Sequence, residues 1–381
     1  MAKDLSLEWD VNNTSPALWC EGQAPCFKLW KTTGEMTALL DADMLPYIVG
    51  FTSKVDEWIA VVRRASELKR ASGKKLKPFS RKWFKWLYRQ PECQDPINHC
   101  DSLINGWTVG AQADSCIPYI TVGTGNFRYD IAFSREYKGT RKADKPPFFE
   151  LLKWHLIVNH NAVQSLTEEA DDLMAIEQYS RNELLVADGA QQGSKEAKLF
   201  SNTIIVTKDK DLRMIAGWHS NPDINKGEPF WVDYLGYLEP VYYPDDHQNE
   251  KLCGKMKKLG GGGMRFFYAQ LLMGDSVDNY QGIPLMGQQK TYDALKDCTS
   301  VKQLHKRVVL LYRRKYREHK FMFESWTKKK LKVGWKDMLV QQGRLAWMQT
   351  CPKELWMSEH VLPITKNWKL KTDNRGQDGK V

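Results

Sequence analysis

The sequence predicts a mixed α/β protein, a mainly parallel sheet with helices on both faces, followed by a basic, largely helical lobe. Three observations lead there. Short apolar runs of buried-strand character alternate with segments of helical periodicity, and two of those runs end in acidic residues. Positive charge is concentrated in two blocks: residues 63–89 hold 11 Lys/Arg against one acid, and residues 302–336 hold 13 against two. The formal net charge of the 381 residues is +10, so the rest of the chain is about −11. That separation points to a polyanion on the basic surfaces and to cations among the acids.

The elements follow in order. Residues 1–35 read as a loose lead-in. Met36-Thr-Ala-Leu-Leu runs into Asp41 as a buried strand with an acid at its carboxyl end. Residues 54–70 carry Val55, Trp58, Ile59 and Val62 at helical spacing. Trp83, Phe84, Trp86 and Tyr88 then stand among cations. This mixture suits phosphate contacts beside stacking, and equally an amphipathic helix with a solvated basic face. Cys116-Ile-Pro-Tyr-Ile-Thr-Val is a second strand, ended by Gly123-Thr-Gly125. Residues 148–160 and 169–181 read as helices, and Ser201-Asn-Thr-Ile-Ile-Val-Thr as a third strand, followed by Lys-Asp-Lys-Asp and another helix. Leu259-Gly-Gly-Gly-Gly263 lacks the Lys-Ser/Thr of a phosphate-binding loop and reads as a hinge before a helix. The chain from about 264 looks helical and basic, and the polar tail from 366 reads as mobile.

Composition closes off other classes. No run of 18 apolar residues exists, and the first residues have no apolar core of a secretory signal, so no membrane span is expected. Eight cysteines without a C-x-x-C pair argue against a structural zinc site and for a reduced, cytoplasmic compartment. No nucleophilic Ser or Cys has recognisable company, and His155, His160, His219 and His305 show no evident partners.

The acids carry the chemistry. Asp41 and Asp43, Glu168 to Asp172, Asp209 and Asp211, and Asp275 and Asp278 form four groups, two of them just after strands. Carboxylates brought together raise one another's pKa unless cations neutralise them, and an all-oxygen set suits Mg²⁺ or Mn²⁺. Taken singly, each group has an ordinary reading. Acids favour a helix's first turn, Ser165-Leu-Thr-Glu168 can be a capping box, and Asp-Lys-Asp is a common turn.

The motifs, taken in order, resemble the 5′-nuclease (flap endonuclease-like) superfamily. They are Leu-Leu-Asp41-Ala-Asp; Phe127-Arg128; Tyr137-Lys-Gly-Thr-Arg141; Glu169-Ala-Asp-Asp-Leu; Asp209-Lys-Asp211-Leu; and Gly274-Asp275-Ser-Val-Asp278 running to Gly282-Ile-Pro-Leu-Met-Gly287. The likeness spans roughly residues 36–300 and is nearest to the 5′-to-3′ exonucleases of short-tailed bacteriophages, including the late Val340-Gln-Gln-Gly-Arg-Leu-Ala segment. It implies a PIN-like catalytic domain over 36–260, a helical DNA-binding lobe with a helix–hairpin–helix over 261–365, and a flexible tail over 366–381.

The resemblance also implies roles. Asp41, Glu169, Asp171, Asp172, Asp209, Asp211 and Asp275 would hold two divalent ions, Mg²⁺ or Mn²⁺, with K⁺ at the hairpin. Lys138 and Arg141 would steer the scissile phosphate, and Arg128 would bind phosphate or brace its loop. Asp278 would order the hairpin turn, and Gly282 to Gly287 would hold duplex phosphate through backbone N–H groups. Tyr47 either stacks on a terminal base or is a core tyrosine. Residues 138–165 correspond to an arch over the 5′ end. One departure stands out: relatives carry another aspartate after the second strand, where Ile120-Thr-Val-Gly-Thr-Gly-Asn-Phe127 has no acid, so either one of the two ions is held less tightly or Thr121, a water or Asp43 stands in.

The expected activity is a metal-dependent 5′-to-3′ exonuclease on duplex DNA ends that also strips RNA primers or 5′ flaps. The alternatives are a flap endonuclease or RNase H-like enzyme, and a non-catalytic DNA-binding protein. Expected partners are double-stranded DNA with a 5′ end, RNA–DNA hybrid and phage replication proteins, in the host cytoplasm.

Overall fold

Five consecutive buried residues, Thr37–Asp41, form β1 at the middle of a six-stranded sheet. A strand apolar on both faces needs cover on both, and a parallel sheet supplies it through its crossover helices. In this computed structural model, residues 35–356 are described apart from 53–54, 73–79, 124, 142–143, 186–197, 199–200, 317–319 and 354. The expected lead-in, the mobile tail and residues 73–79 of the first basic block lie outside the described residues.

β1 pairs in parallel with β2 (Ser115–Thr121) on one side and β4 (Thr203–Val206) on the other. β3 (Val163–Ser165) extends the sheet beyond β2, β5 (Gly217–Ser220) beyond β4, and β6 (Phe230–Val232) closes it antiparallel to β5. The order is β3-β2-β1-β4-β5-β6. The chain leaves β1 toward one edge and returns to its other side at β4. The switch point is therefore the crevice at the carboxyl ends of β1 and β4, where open α/β sheets gather their ligands.

Alternation along β1 separates two cores. Leu39 and Ile205 face one cluster, joined by Met174 and Ala175 of the helix Ala170–Leu185. Ala38, Leu40 and Val206 face the other, against the helices Leu45–Thr52, Gln94–Gly110 and Phe149–Asn159. Full burial of one such Leu or Ile contributes about 1.5–3 kcal/mol, so a strand shifted by one residue would forfeit several at once.

The predicted strands and helices stand within about four residues of their expected places, the largest gap being the helix that ends at Leu185 instead of 181, with three differences. The acids after β4 lead into a single 3₁₀ turn, Asp211–Met214, rather than a longer helix. The glycine run is not a hinge: it ends β8 (Met256–Gly262), antiparallel to β7 (Tyr237–Tyr242), and a side chain on Gly261 would come within 2.4 Å of the Tyr237 carbonyl. The late lobe holds helices Gly263–Met273, Gln288–Leu295, Val301–Tyr316 and Trp335–Ala346, but also a hairpin of β9 (Phe321–Glu324) and β10 (Lys330–Val333). Phe267, Leu271, Leu304, Tyr312 and Leu339 of these helices belong to the same buried cluster as Leu39 of the sheet. Among the described residues no helix is long and apolar enough to cross a membrane.

The first basic block is split: its start lies in the helix Val55–Ser72, and its aromatic end forms an amphipathic helix, Arg81–Leu87, capped by the Ser80 hydroxyl accepting from the Trp83 amide. Phe84 is buried and stacks on Trp154 at 5.6 Å, Tyr88 stacks on His155, and Arg81, Lys82, Lys85 and Arg89 are exposed. The aromatic face is core and the basic face meets solvent.

Candidate active site

Asp41 ends β1 inside the switch crevice. Its carboxylate accepts from the Asp43 amide at 3.2 Å and from the Thr207 hydroxyl at 2.9 Å, which fixes it against the end of β4. Thr207 also accepts from the Asp209 amide, and Asp209 in turn accepts from the Asp211 amide, both at 2.9 Å. A run of short local bonds thus aims three aspartates from two neighbouring strand ends into one space.

Asp171 arrives from the first turn of the helix Ala170–Leu185. Its pKa is raised well above the usual carboxylate range, first by burial and then by the negative charges of Asp41 and Asp209. Asp41 is pushed up to about 7 by burial, then by Asp43 and Asp209, against the Thr207 hydrogen bond. Asp211 is likewise pushed up to about 7, by burial, Asp209 and Asp275, and Lys210 only partly offsets this; Gln270 also donates to its carboxylate. Asp41, Asp171 and Asp211, each raised further by the charge of Asp209, are thus crowded acids with too little positive charge around them. Oxygen-only donors under mutual repulsion are a fitting set for hard divalent cations.

The remaining acids are paired. Glu169 is held by Lys138, by Asn126 at 2.7 Å and by Tyr137 at 3.3 Å, and its pKa is lowered because Arg128 and Lys138 outweigh burial. Asp275 contacts Lys210 through one oxygen. Its other oxygen orders the following turn by accepting from the Val277 amide at 2.7 Å and the Asp278 amide at 3.3 Å. Asp278 accepts from Arg141 at 2.7 Å and from Tyr137 at 3.0 Å. Lys138 and Arg141 therefore border the pocket on short tethers to Glu169 and Asp278. Lys210 sits between Asp211 and Asp275, and no sequence motif pointed to it beyond its place in Asp-Lys-Asp.

Asp172 stands apart from the acidic pocket. Both its oxygens are bonded to the Arg128 guanidinium, at 2.7 and 2.8 Å, and neither side chain is more than 1% exposed. Arg128 also donates to the carbonyls of Leu345 and Trp347, so it is an internal brace rather than an open cation. The helix start differs in detail from a Ser165 capping box. Ser165 donates to the Glu168 carbonyl, while the Thr121 hydroxyl accepts from the Ala170 amide and Asp172 accepts from the Glu169 amide.

At the end of β2, where the sequence lacks an acid, Asp43 reaches across and accepts from the Thr121 amide at 2.9 Å. Burial raises its pKa, and Glu169 adds to the rise. Lys153 donates to the Thr121 carbonyl at 2.6 Å and also faces Asp43; no motif had marked it. Gly123 allows this junction, since a side chain there would fall 1.8 Å from the Leu166 carbonyl.

Tyr47 is half-buried and meets Phe149 edge-on at 5.0 Å. Gly282 has φ +61 and backs onto the Leu272 carbonyl, whereas Gly287 caps the next helix with open space around it. Leu285, at the tip between them, is 85% exposed.

No family model matches the chain. A stretch of 177 residues is 28% identical to DNA polymerase I of Bacillus subtilis (strain 168), covering 45% of this chain and 16% of that protein. The chain thus spans about a sixth of the length of the curated relative that it matches. Among solved structures it is similar to a T5 protein co-crystallized with metal ions, at 14% identity, TM-score 0.40, and coverage of 81% of this chain and 88% of that one. It is also similar to T5 5′-exonuclease with bound zinc ions, at 14% identity, TM-score 0.35, and coverage of 72% and 88%. A T5 flap endonuclease complexed with DNA and metal ions matches at 13% identity, TM-score 0.36, and coverage of 72% and 88%.

Proposed function

We propose that this chain, which resembles the 5′-nuclease superfamily, is a metal-dependent nuclease that removes nucleotides from the 5′ ends of duplex DNA. The observation that carries the reading is the convergence of Asp41, Asp171, Asp209, Asp211 and Asp275 at the carboxyl ends of β1 and β4, where burial and the neighbouring negative charges raise the pKa of Asp41, Asp171 and Asp211. Two Mg²⁺ or Mn²⁺ ions held by these acids and Glu169 would supply an activated water and stabilise the leaving oxygen. The chain's own residues do the rest. Asp43 takes the place of the acid absent after β2, and Asp172 positions the acidic helix through Arg128 rather than binding metal.

Lys138 and Arg141 exchange their carboxylate partners for the scissile phosphate, offsetting charge that develops on it. The hairpin from Gly282 to Gly287, with K⁺, and the cations of the helix Val301–Tyr316 hold the duplex behind the cut. Tyr47 stacks on the terminal base. In this arrangement residues 36–260 cut and 261–365 hold DNA. The setting is phage replication in a host cytoplasm, where RNA–DNA hybrid from primers is a further substrate.

The deciding experiment gives the protein 5′-labelled blunt duplex, a 5′ flap and an RNA–DNA hybrid, each with Mg²⁺ or Mn²⁺. Release of short products from blunt ends is the expected result. Cutting confined to flaps would make it a flap endonuclease, and retained binding without cleavage of any substrate would sink the catalytic reading.

A further inference from the structure

On the opposite face of the sheet from the acidic helix, two imidazoles converge on one carboxylate oxygen. Asp101 lies in the helix Gln94–Gly110, His155 in the last turns of Phe149–Asn159, and His160 just beyond its end. Both helices pack on the core that contains Leu40 and Val206, whereas Ala170–Leu185 packs on the other. Asp101 Oδ1 is 2.7 Å from His155 Nε2 and 2.6 Å from His160 Nε2, and the three ligand atoms lie within 4.8 Å of one another. His155 is buried, while Asp101 and His160 are partly open to solvent.

We propose that Asp101, His155 and His160 form a zinc site, separate from the carboxylate pocket, with a water completing the four ligands. The ligand class supports this: imidazole nitrogens suit Zn²⁺ and not Mg²⁺, so the two sites sort different ions by donor type. The geometry is close to what the ion needs. Bonds of about 2.0–2.1 Å in a tetrahedral site place ligand atoms about 3.3 Å apart, so the present N···O separations open by well under 1 Å. His160 sits on a partly exposed turn that can give by that amount.

The far side of His155 is already equipped. When Nε2 binds the ion, the ring proton moves to Nδ1 and needs an acceptor. The Tyr88 hydroxyl is 3.2 Å from that atom and the Asn159 side-chain amide 2.9 Å. The hydroxyl can reverse its role by rotation, and the amide can present its oxygen by flipping. Such a bond orients a ligating imidazole and fixes its tautomer. The ion would then tie the helix Gln94–Gly110 to the end of Phe149–Asn159 and, through Tyr88, to the basic helix Arg81–Leu87.

The test uses the full chain, freed of metal and titrated with Zn²⁺ in excess Mg²⁺, with the histidine ring nitrogens followed by ¹⁵N NMR. The carboxylate pocket contains no histidine, so these signals report on this site alone. Expected are shifts of Nε2 on both His155 and His160, and a rise in melting temperature with Zn²⁺. His160→Gln, at the exposed turn, should weaken Zn²⁺ binding at least about tenfold and abolish that rise; Asp101→Asn should act alike. Ring signals that do not move with Zn²⁺, or a His160→Gln protein that takes up Zn²⁺ unchanged, would overturn the site.

Discussion

Arg128 and Asp172 form the most enclosed charge pair at the site, and what each does depends on the other. Removing one partner leaves a charge with no water to solvate it, which costs about 3–5 kcal/mol. Arg128→Met should therefore lower stability by about that amount in urea unfolding, a loss that simple truncation of an exposed phosphate contact would not produce. Asp209→Asn combined with Asp211→Asn should abolish cleavage while DNA affinity holds or rises, since repulsion falls and the basic surfaces stay intact. A folded double variant that no longer binds duplex in an anisotropy titration would contradict that division of labour. The acids themselves were legible in the sequence because they follow strands in a fixed order. Which of them point into the pocket was not. Glu169 and Asp172 share a helix face by periodicity, and it is the two-pronged pairing with Arg128, 44 positions before it, that withdraws Asp172. The histidines without evident partners misled for the same reason, since Asp101 lies 54 and 59 positions away from His155 and His160.

The two glycines that bracket the hairpin make a controlled comparison between elements. Gly282 combines φ +61 with backbone atoms 2.5 Å from where a Cβ would sit, whereas Gly287 has nothing within 4 Å. Gly282→Ala should strain the turn by about 1–3 kcal/mol and weaken duplex binding about tenfold or more. Gly287→Ala, at a helix N-cap with open space around it, should cost about 0.5–1 kcal/mol of stability and leave affinity unchanged. Equal effects of the two on duplex affinity would remove the hairpin from the DNA-holding surface. Long strands and amphipathic helices could be read in advance because their period repeats several times. β3, β5 and β6, with three or four residues each, never complete a pattern, and their existence depends on partners distant in sequence. The glycine run misled because the same residue that loosens a chain also lets two backbones approach, as Gly261 does against Tyr237.

Across the whole molecule, charge couples stability to pH and to metal. Asp41 and Asp211 rise from an ordinary 3.8 to about 7. The folded state therefore holds protons that the unfolded chain has released, and stability falls as pH climbs from about 4 to about 7. Glu169 and Asp275, held low by their cationic partners, act in the opposite sense and lose their contribution as acid protonates them. Metal-free protein should then melt lower at neutral than at mildly acidic pH, and Mg²⁺ or Mn²⁺ should restore more at the higher pH. A metal-induced rise in melting temperature that does not grow with pH would count against a shared ion pocket. The exposed cations of the two basic blocks predict a duplex affinity that falls steeply with salt, as a linear loss of log K with log salt. An affinity flat across moderate salt would show that these surfaces do not meet phosphate.

The brace from Arg128 to the carbonyls of Leu345 and Trp347 fastens the short helix Phe127–Ile131 to the last described helix of the chain. Gln341 of that helix reinforces the join by accepting from the amides of Phe133 and Ser134. A gene fragment cut after the sheet would strip the guanidinium of two of its acceptors and lay bare the apolar seam between the halves. Such a fragment would also lack Gln270 and Asp275, so the surroundings of Asp211 and Lys210 are completed only by chain from beyond the sheet.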